Sequence, residues 1–147
     1  MKIAIASDHA AFEMKEELVN YLKEKNIDVI DLGTYSKESV DYPDYAKMLG
    51  EMVANRKVEY GIGLCGTGIG MSISVNKIKG IRGALCLYPS MAELARKHNN
   101  ANVLVLAGRL MGYDLAKWTV DTFLSTEFEG ERHQRRIDKI SNIEEQN

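Results

Sequence analysis

Short apolar runs alternate with helical patterns from one end of the chain to the other. Each run is typical of a buried strand, and the five lie at residues 2–6, 27–32, 58–64, 82–87 and 103–107. Between the first two runs, Ala11, Met14, Leu18 and Leu22 recur on one helical face. Five strand–helix units in succession predict a parallel sheet with helices on both faces. We therefore expect an α/β fold, a Rossmann-like three-layer sandwich with five parallel strands.

The later helices and the domain organisation follow from local signals. Pro43 and Pro89 each open a helix, because proline is favoured in the first helical turn. A glycine-rich turn predicts another helix at about 69–78. The units are too few for an eight-stranded barrel, and no linker divides the chain. We expect one domain over residues 1–147.

The tail from residue 129 onward predicts a charged helix. Ile137, Ile140 and Ile143 are its only apolar anchors. This stripe is thin for packing on the helix's own domain, so we expect residues 129–147 to form an interface helix that packs on a partner subunit.

Composition excludes several classes of protein. The 147 residues carry 19 basic and 21 acidic side chains, a formal net charge of −2, which gives no general attraction to nucleic acid or acidic membrane. No stretch approaches the roughly 18 apolar residues of a membrane helix, and Ser7 interrupts the first apolar run too early for a secretory signal. Two cysteines and three histidines predict a reducing cytoplasm, no disulfide framework and no structural zinc.

Polar residues follow several of the predicted strands. Ligands of open α/β sheets bind beyond the carboxyl ends of the strands, so the residues at these ends are candidates for a binding site. The groups expected at this edge are Ser7-Asp8-His9, Cys65 with the segment Gly66–Gly70, His98-Asn99-Asn100 and Arg109. Their convergence predicts a functional cleft.

The segment around Cys65 resembles known phosphate loops only superficially. GIGLCG at 61–66 matches the dinucleotide fingerprint, but it lies within a strand rather than after one. No Gly-Lys-Ser/Thr follows, and a phosphatase loop would need an arginine where Met71, Ser72 and Ile73 stand. A glycine turn with free N–H groups remains, suited to an oxyanion or enediolate. Cys65 precedes a helix N-terminus, which favours its thiolate form; a buried inert cysteine is the alternative.

The other candidates also have structural interpretations. His98 shares a helical face with Met91 and Leu94, so it could be a core histidine. Asp8 could simply cap the helix that follows it. Arg132 and Arg136 could lie on a solvated face, although like charges four residues apart favour a bound phosphate.

Taken together, the motifs resemble the ribose-5-phosphate isomerase B family over essentially the whole chain, a family that includes galactose-6-phosphate isomerase subunits. They are SDHAAFEMK at 7–15, DLGTYS at 31–36, VDYPDYA at 40–46, GIGLCGTGIGMSISVNKIKGIRGAL at 61–85, ARKHNNANVLVLAGR at 95–109 and EFEGERHQRRI at 127–137. The resemblance implies interconversion of ribose 5-phosphate and ribulose 5-phosphate, in the pentose phosphate pathway, without metal or organic cofactor.

The resemblance also implies a role for each matching residue. Cys65 matches the base that moves a proton between C1 and C2, assisted by Thr67, and His98 matches the group that opens the furanose ring, assisted by Asp8. The remaining matches are enediolate-loop residues Gly66, Thr67, Gly68, Ile69 and Gly70, phosphate-clamp residues His9, Arg132 and Arg136, and substrate contacts Tyr42, Asn99 and Arg109. Members form homodimers with shared active sites, and some form tetramers.

Two other function classes stay open at this point. One is an isomerase of a six-carbon phosphate, such as allose or galactose 6-phosphate. The other is a flavodoxin-like nucleotide-binding module, for which Cys65 beside Thr67 would have no purpose. A phosphatase is disfavoured by the missing arginine.

Overall fold

The computed structural model describes residues 1–147 and alternates strands with helices, as the sequence predicts. The strands are β1 (Lys2–Ser7), β2 (Asp28–Asp31), β3 (Tyr60–Cys65), β4 (Gly83–Leu85) and β5 (Val103–Ala107). The helices are α1 (Phe12–Glu24), α2 (Tyr42–Ala54), α3 (Ile69–Val75), α4 (Pro89–Asn99), α5 (Tyr113–Ser125) and α6 (Arg132–Glu145). The predicted α/β class is confirmed.

The five strands form one parallel sheet in the order β2-β1-β3-β5-β4. Cys65 at the end of β3 pairs with Ala107 at the end of β5, and Ser7 at the end of β1 pairs with Leu64. At the other end, Val103 pairs with both Gly61 and Gly83. The sheet thus has a carboxyl edge, where β1, β3 and β5 end together, and an amino edge at the opposite ends of the strands, where β3, β4 and β5 start together.

Alternation along each strand divides the core into two layers. Ile3 and Ile5 of β1 face the layer of α1, α4 and α5, whereas Ala4 and Ala6 face the layer of α2 and α3. All four are fully buried. Parallel strands covered on both faces are apolar at nearly every position, which is why the strands read as continuous runs.

Some elements are shorter than the sequence predicts, because side chains bind the backbone at their ends. The helix predicted between the first two strands begins with a 3-10 turn, His9–Ala11, capped by Asp8. The helix predicted to residue 78 ends at Val75, because the Asn76 amide donates to the carbonyls of Ser72 and Gly83 at 2.9 and 3.0 Å. Such side-chain bonds compete with the backbone bonds that would extend the helix.

The predicted C-terminal helix exists and is anchored at its start. His133 and Ile137 of α6 are buried against their own chain. Ile140 and Ile143, by contrast, are 46% and 62% exposed. Packing of these two isoleucines on a partner subunit stays a prediction. None of the helices combines the length and the apolar character needed to span a membrane.

A buried lysine ties α1 to the end of β2. The Lys15 ammonium has no solvent exposure and donates to both carboxylate oxygens of Asp31 at 2.8 Å, and to Glu16 at 2.7 Å. Asp31 in turn accepts from the Gly33 N–H at 2.9 Å, and the Gly33 carbonyl accepts from Ser7. This network holds the loop after β2 against the last residue of β1.

We expect Lys15→Met to lower the free energy of unfolding by about 2 kcal/mol. Removing one partner of a buried ion pair costs about 3–5 kcal/mol, and the loss is smaller here because the Asp31 side chain is 24% exposed. Urea denaturation measures the change. Glu16→Gln removes only the half-exposed partner and is the control, with an expected loss below about 1 kcal/mol. Equal losses in the two variants would contradict the assignment of Asp31 as the main partner.

Candidate active site

A cleft of about 590 Å³ opens at the carboxyl edge of the sheet. Most of the predicted site residues line it together, as the strand-end argument requires. They are Asp8, His9, Tyr42, Cys65, Gly66, Thr67, Ile69, Gly70 and Arg109. Gly68 lies within the same loop.

Asp8 and His9 enter the cleft from the turn after β1. Asp8 is buried, and its Oδ1 accepts from the N–H groups of Ala10 and Ala11 at 3.0 and 3.3 Å. The capping interpretation is therefore correct, and the same residue also lines the cleft. The Val40 N–H donates to His9 Nδ1 at 3.1 Å. A neutral His9 then carries its proton on Nε2, which is left as a donor for a ligand.

The loop after Cys65 is fixed by its glycines. Gly68 has φ +76°, and a Cβ there would lie 2.5 Å from a Leu85 methyl group, so only glycine fits this left-handed turn. The Thr67 hydroxyl accepts from the Ile69 N–H at 3.3 Å. Cys65 is buried at the floor of the cleft, and its carbonyl accepts from Gly108 of the neighbouring β5 segment at 2.9 Å.

Two further glycines bring side chains close to the loop. A Cβ on Gly70 would lie 2.5 Å from the Tyr42 ring, and a Cβ on Gly66 would lie 3.2 Å from the Arg109 guanidinium. The ring and the guanidinium therefore pack directly against the loop backbone. Arg109 and Tyr42 can stand beside the loop because Gly66 and Gly70 place no side chain in their way.

The second cysteine is of a different kind. Burial raises the pKa of the Cys86 thiol to about 12, so Cys86 stays protonated at neutral pH. It lies in the apolar core against α4 and α5 rather than in the cleft. Only Cys65 is placed where a thiolate could meet a ligand.

Four predicted site residues lie outside the cleft: His98, Asn99, Arg132 and Arg136. The expectation that His98 and Asn99 lie at the carboxyl edge of their own sheet is wrong. Helix α4 runs opposite to the strands, so its end leads directly into the start of β5 at the amino edge. The five residues of β5 separate the two edges by about 13 Å at roughly 3.3 Å per residue. Arg132 and Arg136, at the start of α6, are exposed near the same end.

These residues belong to an amino-edge cluster, which we define as His98, Asn99, Glu129, Arg132, His133 and Arg136. The imidazoles of His98 and His133 stack, with centroids 4.3 Å apart and planes 14° apart. His98 Nε2 lies 3.7 Å from Glu129 Oε1. Burial lowers the pKa of His133, and the nearby charges of His98, Arg132 and Arg136 lower it further.

Glu129 and His133 were not predicted as site residues. The stacking of His98 on His133 joins the end of α4 to the start of α6. No helical or strand periodicity relates these two positions in the sequence. The one available signal in the sequence was His133 between Arg132 and Arg135, and in that setting a histidine is typical of a solvated basic face. This cluster is also the only place where three His, Cys, Asp or Glu side chains bring their ligand atoms together.

The cleft therefore offers proton-transfer chemistry. It combines a thiol, a hydroxyl, an imidazole and a carboxylate with a rigid glycine loop, and no set of metal-ligating side chains converges inside it. Such a set suits carbon-acid chemistry, which needs a base and a donor for the developing oxyanion.

A family model described as Ribose/Galactose Isomerase matches residues 3–140. This chain belongs to that family. The ribose-5-phosphate isomerase B of Escherichia coli K12 is 46% identical over 144 residues, which cover 98% of this chain and 97% of that relative. The family resemblance inferred from the sequence motifs is confirmed.

Solved structures of isomerases of this family have the same fold. A ribose 5-phosphate isomerase from Thermotoga maritima is 64% identical, with a TM-score of 0.95 over 96% of this chain and 97% of its own. Ribose-5-phosphate isomerase B from Mycoplasma genitalium, solved with bound ribulose-5-phosphate, is 43% identical, with a TM-score of 0.94 over 99% and 97%. The isomerase fold is thus shared across the full length of the chain.

Proposed function

We propose that this chain interconverts D-ribose 5-phosphate and D-ribulose 5-phosphate, the aldose–ketose step of the non-oxidative pentose phosphate pathway. The observation that carries the proposal is the placement of Cys65 directly beside the glycine loop, in one cleft with Asp8 and His9. The names of the relatives support the substrate, and the ribulose-5-phosphate complex of the Mycoplasma genitalium enzyme supports the product.

In the proposed mechanism, Cys65 is the base. Its thiolate removes the proton from C2 of the open-chain aldose, and the electron pair forms the C1–C2 double bond of an enediolate. The N–H groups of Gly66–Gly70 stabilise the negative oxygen. Thr67 relays the hydroxyl proton from O2 to O1. The Cys65 thiol then returns its proton to C1, which yields the ketose and regenerates the thiolate.

We propose that a second subunit completes the site. His98 and Asn99 stand far from Cys65 of their own chain, as do Arg132 and Arg136, while all four match functional residues of the family. In a homodimer, the amino-edge cluster of one subunit would face the cleft of the other. His98 would open the furanose ring with help from Asp8. The two arginines and His9 would hold the phosphate, and Tyr42, Asn99 and Arg109 would contact the sugar.

Neither the cleft nor this mechanism requires an organic cofactor. We also propose that residues 1–147 work as one domain in the cytoplasm, where the two free cysteines would remain reduced. Ile140 and Ile143 would then be covered at the subunit interface or in a pairing of dimers.

Turnover of ribose 5-phosphate by the purified protein, in the presence of a chelator, tests this function. We expect kcat/KM for ribose 5-phosphate to exceed the values for allose 6-phosphate and galactose 6-phosphate by at least about tenfold, since each misplaced hydroxyl-bearing carbon costs binding in a fitted site. Coupled assays measure all three. Preference for a hexose phosphate would replace the pentose assignment, and loss of activity on chelation would contradict cofactor independence.

We expect His98→Asn to reduce turnover of ring-closed ribose 5-phosphate by about 10²-fold, because acid–base assistance typically contributes 10²–10⁴. An open-chain substrate such as erythrose 4-phosphate, which cannot form the same ring, should lose less than about threefold by the same reasoning. Steady-state kinetics on both substrates give the two ratios. Equal losses would show that His98 is not a ring-opening group.

A further inference from the structure

Three metal-ligand side chains of the amino-edge cluster converge without an assigned joint role. One nitrogen of His98, one nitrogen of His133 and one carboxylate oxygen of Glu129 all lie within 4.8 Å of one another. Tetrahedral zinc, with bonds of about 2.0–2.1 Å, places its ligand atoms about 3.3 Å apart. His98 Nε2 and Glu129 Oε1, at 3.7 Å, already stand close to that spacing.

The cluster combines a fixed ligand with two adjustable ones. His133 is buried and held by the first turn of α6. The side chains of His98 and Glu129 are 40% and 51% exposed, so both can rotate toward a shared ion. The Glu129 N–H donates to the Lys97 carbonyl at 3.2 Å, which fastens the loop to the end of α4. Because the two imidazoles stack with planes 14° apart, the His98 ring must turn out of the stack before both rings can point a nitrogen lone pair at one ion. That rotation, together with one of Glu129, would complete three ligands and leave a fourth position open.

The donor set selects the kind of ion. Two imidazoles and one carboxylate suit Zn²⁺ and similar transition metals, whereas Mg²⁺ and Ca²⁺ need more oxygen ligands. Arg132 and Arg136 lie close enough to lower the pKa of His133, and their positive charges oppose the binding of a dication. Glu129 is the one carboxylate in the set that offsets them, so its removal should weaken binding strongly.

We propose that His98, Glu129 and His133 form a binding site for Zn²⁺ or a similar transition-metal ion, and that bound metal inhibits the isomerase. The inhibitory part rests on the proposed function, because the metal would occupy the His98 imidazole that opens the sugar ring. The site would make the enzyme sensitive to free transition metals while leaving its chemistry independent of them.

Metal binding is tested on the full-length protein at pH 7.5, independently of activity. Co²⁺ is titrated and followed by its visible absorption, and Zn²⁺ by competition with a chromogenic chelator. We expect one equivalent per chain in the wild type and at least about tenfold weaker binding in Glu129→Gln and His133→Gln, since even the loss of a group that only hydrogen-bonds to a ligand typically costs about 10–100-fold in metal affinity. Glu127→Gln removes the same charge from an exposed residue two positions away and should bind like the wild type.

Two results would overturn the binding site: no stoichiometric Zn²⁺ binding by the wild type, or equal weakening in Glu127→Gln and Glu129→Gln. Glu129 is exposed, so its variant tests the site without removing a buried side chain.

The inhibitory part is tested with the same proteins and ring-closed ribose 5-phosphate. Zn²⁺ should inhibit the wild type and Glu127→Gln at the concentration that fills the site, and chelator should restore turnover. Glu129→Gln should need about tenfold more Zn²⁺. Stoichiometric binding without inhibition would overturn the regulatory role. A metal-free protein that binds Zn²⁺ but never turns over ribose 5-phosphate would instead refute the proposed function and leave the binding site standing.

Discussion

Cys65→Ala is expected to lower kcat for ribose 5-phosphate by at least about 10³-fold, the upper range of what a positioned base contributes. Alanine cannot take the proton from C2, and no other basic side chain follows β3 at the head of the glycine loop. Deuterium from solvent, which enters the product at C1 when a protein base exchanges its proton, should disappear as well. Initial rates and NMR of product formed in D₂O measure both effects.

Cys86→Ala is the matched control for this change. It removes the other thiol, which is buried in the core and protonated at neutral pH because burial raises its pKa. It should keep kcat within about twofold while costing some stability through the small cavity it leaves. A folded Cys65→Ala protein with turnover near that of Cys86→Ala would exclude Cys65 as the base.

The fold could be predicted because local pattern and global topology agree. Each apolar run of the sequence became a strand, and the run at 103–107 matches β5 residue for residue. The strand predicted at 82–87 was too long. The observed strand β4 is the outermost of the sheet, and only Gly83–Leu85 pairs with β5. Side-chain bonds such as those of Asn76 act across a loop and are invisible to periodicity.

The cleft half of the site could also be predicted, and the amino-edge half could not. Asp8 and Arg109 follow strands and Cys65 ends one, so their meeting is a property of parallel sheets. His98 ends a helix, and a helix that returns along a parallel sheet ends at the opposite edge. The stacking of His98 on His133 depends on how α6 folds back over α4, which is a tertiary contact between positions 35 residues apart.

The cleft and the amino-edge cluster lie at opposite ends of the strands. Two inactive variants, one damaged in each place, should therefore restore activity when they are mixed, which is the largest gain of activity that we expect. Cys65→Ala damages the cleft, and Arg136→Ala damages the amino-edge cluster. Each protein alone should show almost no turnover at subsaturating ribose 5-phosphate, because in the proposed dimer Arg136 would supply charge-assisted bonds to the phosphate worth about 1.5–3 kcal/mol each. Mixed in equal amounts with subunit exchange, they should recover about a quarter of wild-type activity, since half the dimers are mixed and each has one intact site.

Two control mixtures make this result specific to sites shared between subunits. Cys65→Ala with Arg109→Ala places both defects in the same cleft, and His98→Asn with Arg136→Ala places both in the same cluster. Neither mixture can build an intact site in a mixed dimer, so neither should gain activity. Exchange itself is followed by mass spectrometry of isotope-labelled subunits. If exchange is complete and the Cys65→Ala and Arg136→Ala mixture stays inactive, the arginine must serve its own chain, which would require α6 to leave the amino edge where it packs on His98.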